Sequence, residues 1–179
     1  MYTHGFSLLE LLITLVVLAI MLALGAPSFA NHIHNNQVKV TTLSLLEAVA
    51  FTRNQAVFNN RRVTLRNPGR WEDGWEIFLD TNNNGIRDQD ERLLISRESI
   101  QNVRITPNQP VKHYISYIGS GESRLVGNEN GGAFQAGTIR VCPTGKGGGY
   151  ELTLARSGRL RMSEINATQC ADSKNNQNN

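Results

Sequence analysis

The hydrophobic positions of this sequence fall into three regimes. Residues 11–26 form an apolar run without one charged side chain, dominated by Leu, Ile, Val, Ala and Met. Extended to Ala30 and wound as a helix, the run is about 30 Å long, enough to cross a bilayer. Residues 31–36 are polar, include His32 and His34, and read as the point where the helix leaves the membrane. From Val38 the apolar positions recur at three- and four-residue steps, at Leu45, Ala48, Val49, Thr52 and Ala56, which is one face of a helix. Phe51 and Phe58 are expected to widen that stripe. The helix should run past Pro27 and end at Asn59-Asn60.

Beyond Asn60 the period changes to two. Alternating runs at 63–65, 75–79, 93–95, 103–105, 114–118, 138–142, 150–155 and 159–162 predict short strands. Asn67-Pro68-Gly69 and Ser157-Gly158 mark turns between them. Trp71 and Trp75 are expected in the core or at its rim. Residues 119–132 read as a polar, glycine-rich loop. From Asp172 the chain is Ser, Lys, Asn and Gln, a composition that predicts a disordered tail.

The head of the apolar run is Gly5-Phe6-Ser7-Leu8-Leu9-Glu10. A secretory signal peptide wants a positive start, a shorter apolar stretch and a small-residue cleavage site. Ser28-Phe29-Ala30 could serve as the last, but no Lys or Arg precedes Phe6, and Glu10 intrudes. A plain anchor explains the length and leaves Glu10 without a purpose, because a carboxylate in lipid is expensive. The stretch resembles the type IV prepilin signal. In that family cleavage follows the Gly, the new N-terminal Phe is methylated, a Glu stands at the fifth mature position, and a Pro follows about six turns on. Those positions fall on Gly5, Phe6, Glu10 and Pro27; His4 departs from the usual Lys or Arg before the Gly. The resemblance gives Glu10 a role: its carboxylate neutralises the Phe6 amine of a neighbouring subunit and sets the register of assembly, since either charge unpaired would be costly.

The body of the chain resembles minor pilins of the FimT and GspH type. The likeness rests on the helix end at 46–60, with Arg53 and Ala56, followed by Val63-Thr64-Leu65. It rests also on Gly74-Trp75-Glu76-Ile77-Phe78-Leu79-Asp80 with Asn82, Asn84, Gly85 and Asp88 beyond. It implies an α+β fold, a long N-terminal pilin helix packed on an antiparallel β-sheet head. The chain then divides into a prepilin leader (1–5), a transmembrane and filament-core helix (6–30), its amphipathic continuation (31–60), a β-rich head (61–171) and a tail (172–179). The implied partners are a prepilin peptidase, other major and minor pilins, and the bacterial inner membrane before assembly, with the head in the periplasm and later on an extracellular pilus.

Charge and cysteines refine this picture. The chain has 18 basic and 15 acidic residues; setting Glu10 aside with the anchor leaves 18 against 14 in the exported part. The balance is uneven. Seven acids stand between Glu72 and Glu91 against Arg87 alone, and five bases between Arg140 and Arg161 against Glu151 alone. Such asymmetry suggests one face that could meet a polyanion. The two cysteines, Cys142 and Cys170, are expected to join in an oxidising compartment and pin the C-terminal segment onto the head. A loop of that size is worth about 3 kcal/mol.

Three constellations could carry chemistry. Asp80, Asn82, Asn84, Gly85, Asp88 and Glu91 fit a calcium loop position by position, with the Ile86 carbonyl as a further ligand. The flanks read as strands, so a polar hairpin whose Asn and Gly residues serve turn geometry is the alternative. Arg156-Ser157-Gly158-Arg159-Leu160-Arg161 puts Arg159 and Arg161 on one face of the last strand with Arg156 across the turn. Guanidiniums this close suit phosphate, and the stretch is similar to a C-terminal motif of FimT-type pilins involved in DNA uptake. The resemblance therefore implies double-stranded DNA as a partner, held by Arg156, Arg159 and Arg161. The alternative is an edge strand guarded by charge. Gly145-Lys146-Gly147-Gly148-Gly149 lacks the Ser or Thr of a phosphate loop and reads as a hairpin connection, with Lys146 as an added phosphate contact. Asn166-Ala167-Thr168 matches a glycosylation sequon. No Ser-His-Asp or Cys-His set is legible, so an enzyme is not expected.

Overall fold

The computed structural model describes residues 7–127 and 132–175, with side chains at all of these except 23–35 and 173–175. Helix α1 (Leu8–Asn59) is 52 residues long, roughly 80 Å at the standard rise. Ser7 caps its start by accepting from the Glu10 N–H, and Asn60, in the left-handed region at φ 47°, closes its end with N–H bonds to the Ala56 and Val57 carbonyls. Pro27 falls inside the helix.

The two ends of α1 have opposite surroundings. Leu8 to Leu22 are exposed along every face, so this segment finds no core in its own chain. From Val38 onward one stripe is buried: Val38, Leu45, Val49, Thr52 and Ala56. Thr42 and Thr52 sit in that stripe because each hydroxyl donates to the carbonyl one turn back, at 2.7 Å. Phe58, expected to widen the stripe, is 85% exposed. It lies two residues past Ala56, about 200° around the helix, and so faces away.

The strands are β1 (Val63–Arg66), β2 (Trp75–Leu79), β3 (Leu93–Arg97), β4 (Val103–Pro107), β5 (Tyr114–Tyr117), β6 (Gly137–Pro143), β7 (Gly149–Leu154) and β8 (Leu160–Ile165). They form two antiparallel sheets, ordered β3-β2-β1-β5 and β4-β6-β7-β8. Both sheets turn their inward residues onto α1. Leu65, Ile77 and Ile115 come from the first, Ile105, Ile139 and Leu152 from the second, and all join one core with the helix stripe, Trp71 and Trp75. Part of the expected loop at 119–132 runs against the first sheet. Ser123 pairs with Tyr117, and Arg124 pairs with Phe134, so this return path prolongs the sheet beyond β5.

Alternation along the second sheet leaves an outer face away from the helix. Its register sets Thr138, Thr153 and Arg161 side by side, then Arg140, Glu151 and Ser163. Helix α2 (Ala167–Asn175) follows β8. It takes in Asp172 to Asn175, where the composition predicts a disordered tail. Local chemistry explains the difference. Asn166 and Gln169 exchange side-chain bonds to each other's backbone N–H, both at 2.9 Å, which nucleates the helix. The Cys142–Cys170 disulfide, with Cα atoms 5.8 Å apart, then holds it down. Arg104 adds a bond from Nη2 to the Cys170 carbonyl at 2.7 Å.

Candidate functional site

The β7–β8 turn is mounted by its backbone and presents its side chains. The Ala155 carbonyl accepts from the Gly158 N–H at 2.9 Å and shares, at 3.2 Å, the Ser123 hydroxyl proton that the Gln135 carbonyl takes at 2.7 Å. The Ser157 carbonyl accepts from Arg53 Nη2 at 3.4 Å, and the Gly158 carbonyl from the Tyr117 hydroxyl at 2.9 Å. Arg53 also donates through Nε to the Gly121 carbonyl at 2.9 Å. Three inward donors, one from α1, one from β5 and one from the strand-like return beside it, thus hold one turn. Burial pushes the Tyr117 phenol above its ordinary range, so it stays a donor. Gly158 is required twice. Its φ is +78°, and a Cβ there would lie 2.4 Å from the Gly121 carbonyl oxygen.

With the carbonyls turned in, the arginines turn out. Arg156, Arg159 and Arg161 are all exposed, and among the described residues none has an acidic partner within 4.0 Å. Arg161 stands opposite Thr153 on β7. One row further, Arg140 is neutralised by Glu151 at 2.7 Å. The exposed basic patch is therefore the turn and the start of β8, edged by hydroxyls that can also donate to phosphate. Since β8 is the last strand of its sheet, the same charges protect an open edge.

The structure brings the three arginines together and leaves Lys146 out. Lys146 belongs to the β6–β7 connection, whereas Arg156 follows the far end of β7. Six strand residues separate the two ends, about 20 Å at the usual rise. Lys146 is thus not a member of the arginine patch. Arg53, Tyr117 and Ser123 are the residues that sequence reasoning missed as parts of this site. Their contacts to the turn span separations from 32 to 104 residues, which no local pattern encodes.

The loop between β2 and β3 uses its charges in the opposite way. Asp80 is buried at 1% exposure. Its Oδ2 accepts from the Thr64 hydroxyl at 2.8 Å and the Gly85 N–H at 3.0 Å, and its Oδ1 from the Asn84 N–H at 3.0 Å. Glu91 Oε1 accepts from the Thr81 N–H at 2.7 Å, and its Oε2 from the Asp88 N–H at 3.2 Å. Asn82 and Asn84 both donate to Asp88, and the Asn84 side chain takes the Ile86 N–H at 2.6 Å. Beneath the loop Arg62 donates to Asn83, Ser116 and the Arg124 carbonyl. Burial is the main force raising the Asp80 carboxyl above its ordinary value, against the bond from Thr64. Among the described residues no group of three or more Asp, Glu, His or Cys side chains is gathered as a metal site. Five of the residues expected to bind calcium, Asp80, Asn82, Asn84, Asp88 and Glu91, accept N–H bonds from within the loop.

At the N-terminus, Glu10 is exposed in the first turn of α1; Gly5 and Phe6 lie outside the described residues. Among the described residues no helix is long and apolar enough to cross a membrane. The apolar run continues into 23–35, where side chains are not described.

A long helix with an exposed apolar end, crossing a two-sheet antiparallel head, defines a minor pilin or pseudopilin. The family described as "Type II transport protein GspH" matches residues 41–158, and the "Prokaryotic N-terminal methylation motif" matches residues 1–26. The chain belongs to the GspH family. Its fold is similar to that of the type IV minor pilin FimU of Pseudomonas aeruginosa strain PAO1, with a TM-score of 0.55 and 16% identity over 72% of this chain and 89% of that one. It is also similar to the minor pseudopilin EpsH from the Type 2 Secretion System of Vibrio cholerae, with a TM-score of 0.50 and 14% identity over 71% of this chain and 96% of that one. No curated protein sequence matches it significantly.

Proposed function

We propose that this chain is a minor pilin of a type IV pilus whose head binds double-stranded DNA for uptake, without sequence preference. The carrying observation is the arginine turn. Three exposed guanidiniums, without acidic partners among the described residues, sit on a backbone fixed from three sides. Fixed guanidiniums suit phosphate, and contacts to phosphate alone carry no base information. The role is binding and assembly, not catalysis. Prepilin peptidase would cleave after Gly5, the apolar end of α1 would lie in the inner membrane before assembly, and Glu10 would pair with the Phe6 amine of the next subunit.

Fluorescence anisotropy of the full-length protein in nonionic detergent, with labelled duplex DNA across a salt series, tests this reading. Binding should be tight at low salt and weaken steeply as salt rises. A second reading follows from the likeness to EpsH. There the protein is a pseudopilin of a type II secretion system, and the arginines guard the β8 edge. Absence of DNA binding at low salt would favour it.

A further inference from the structure

The outward arginines suit phosphate. A ring face on which an unpaired base can stack has to come from an aromatic side chain. Phe134 is 46% exposed, and the guanidinium carbon of Arg124 lies 3.8 Å from its ring centroid. Arg124 is fixed in place. Its Nε and Nη2 donate to Glu122 at 3.2 and 2.8 Å, and its Nη1 to the Gly132 carbonyl at 3.2 Å. The ring is therefore backed by a stationary planar cation and keeps open surface toward solvent. A side chain already held still loses little freedom when a second flat group stacks on it.

The backbone next to this ring is linked to the arginine turn. The Ser123 hydroxyl lies 2.7 Å from the Gln135 carbonyl and 3.2 Å from the Ala155 carbonyl. Those carbonyls belong to the immediate chain neighbours of Phe134 and of Arg156. One buried hydroxyl thus ties the aromatic to the cationic part of the surface.

We propose that Phe134, backed by Arg124, is a stacking platform for an unpaired nucleobase, so that the site favours DNA with a single-stranded end over blunt duplex. The inference rests on the DNA reading above and adds the kind of DNA end that is held. Bases inside a duplex already stack on one another, whereas an unpaired base offers its face, and aromatic platforms accept any base in this way.

The test uses full-length protein in nonionic detergent and anisotropy with two labelled DNAs, a blunt duplex and the same duplex carrying an oligothymidine overhang. Wild type should bind the overhang duplex about tenfold more tightly. Phe134→Leu should lose that preference and keep its blunt-duplex affinity, and Phe134→Tyr should keep both. Equal wild-type affinity for the two DNAs, or a preference that survives in Phe134→Leu, would overturn the platform and leave duplex binding intact. Failure to bind either DNA at low salt would overturn both readings.

Discussion

The β2–β3 loop and the β7–β8 turn are both polar hairpin connections rich in charge, and they are built inside out relative to each other. In the loop, the side chains point in. Asp80 and Glu91 accept from backbone N–H groups, so the charge is consumed within the fold. In the turn, the backbone points in. Its carbonyls accept from Arg53, Tyr117 and Ser123, and the charged side chains are left for solvent or a partner. Charge count alone would rank the acidic loop as the stronger candidate site. The direction of the hydrogen bonds reverses that ranking, because the loop's carboxylates already accept from within the fold, whereas the turn's arginines have no acidic partner among the described residues.

Substitutions should separate the two regions. The largest effect is expected at Asp80. Asp80→Ala strands the Thr64 hydroxyl and the Gly85 N–H and leaves the Asn84 N–H only its bond to Asn82, which should destabilise the head by about 3 kcal/mol. Chemical denaturation would measure it. Duplex affinity of the folded variant should be unchanged, and a parallel loss would mean the regions are coupled. Next comes the mounting. Arg53→Met removes the α1 donor beneath the turn, with about 1–2 kcal/mol of stability lost. It should also weaken duplex binding several-fold although Arg53 itself donates to carbonyls of its own chain. Arg53→Lys, which keeps a donor, should recover part of the affinity. The smallest effects are expected outside both devices. Lys146→Ala should leave duplex affinity unchanged, since the length of β7 separates it from the turn. EDTA should leave the melting temperature unchanged because the loop closes on its own groups. A rise of several degrees with millimolar calcium would make that loop a metal site after all.

The architecture was largely legible in the sequence, and the physics explains where it was not. Period-two alternation located all eight strands to within a few residues, although β1 and β5 are buried on both faces and β3 on neither. The division into two sheets was not legible, since pairing such as Val63 with Tyr117 spans 54 residues without a local mark. Phe58 misled because an aromatic near an apolar stripe looks like part of it until the helical angle is counted. The tail misled because composition does not register the Asn166–Gln169 cap or the pinning of Cys170 to Cys142. At the site, the three arginines could be found from their spacing around Gly158. Their mounting could not, and neither could the exclusion of Lys146, which is near in sequence and distant along β7.

The central claim is that the turn's arginines are free for phosphate and not needed by the fold. One double variant, Arg159→Ala with Arg161→Ala, tests it through two readouts taken together. The dependence of log affinity on log salt should become shallower by about 2, one phosphate contact for each arginine, while the melting temperature stays put, as expected for exposed side chains. An unchanged salt slope with a fall in melting temperature would contradict the account and make the arginines part of the scaffold.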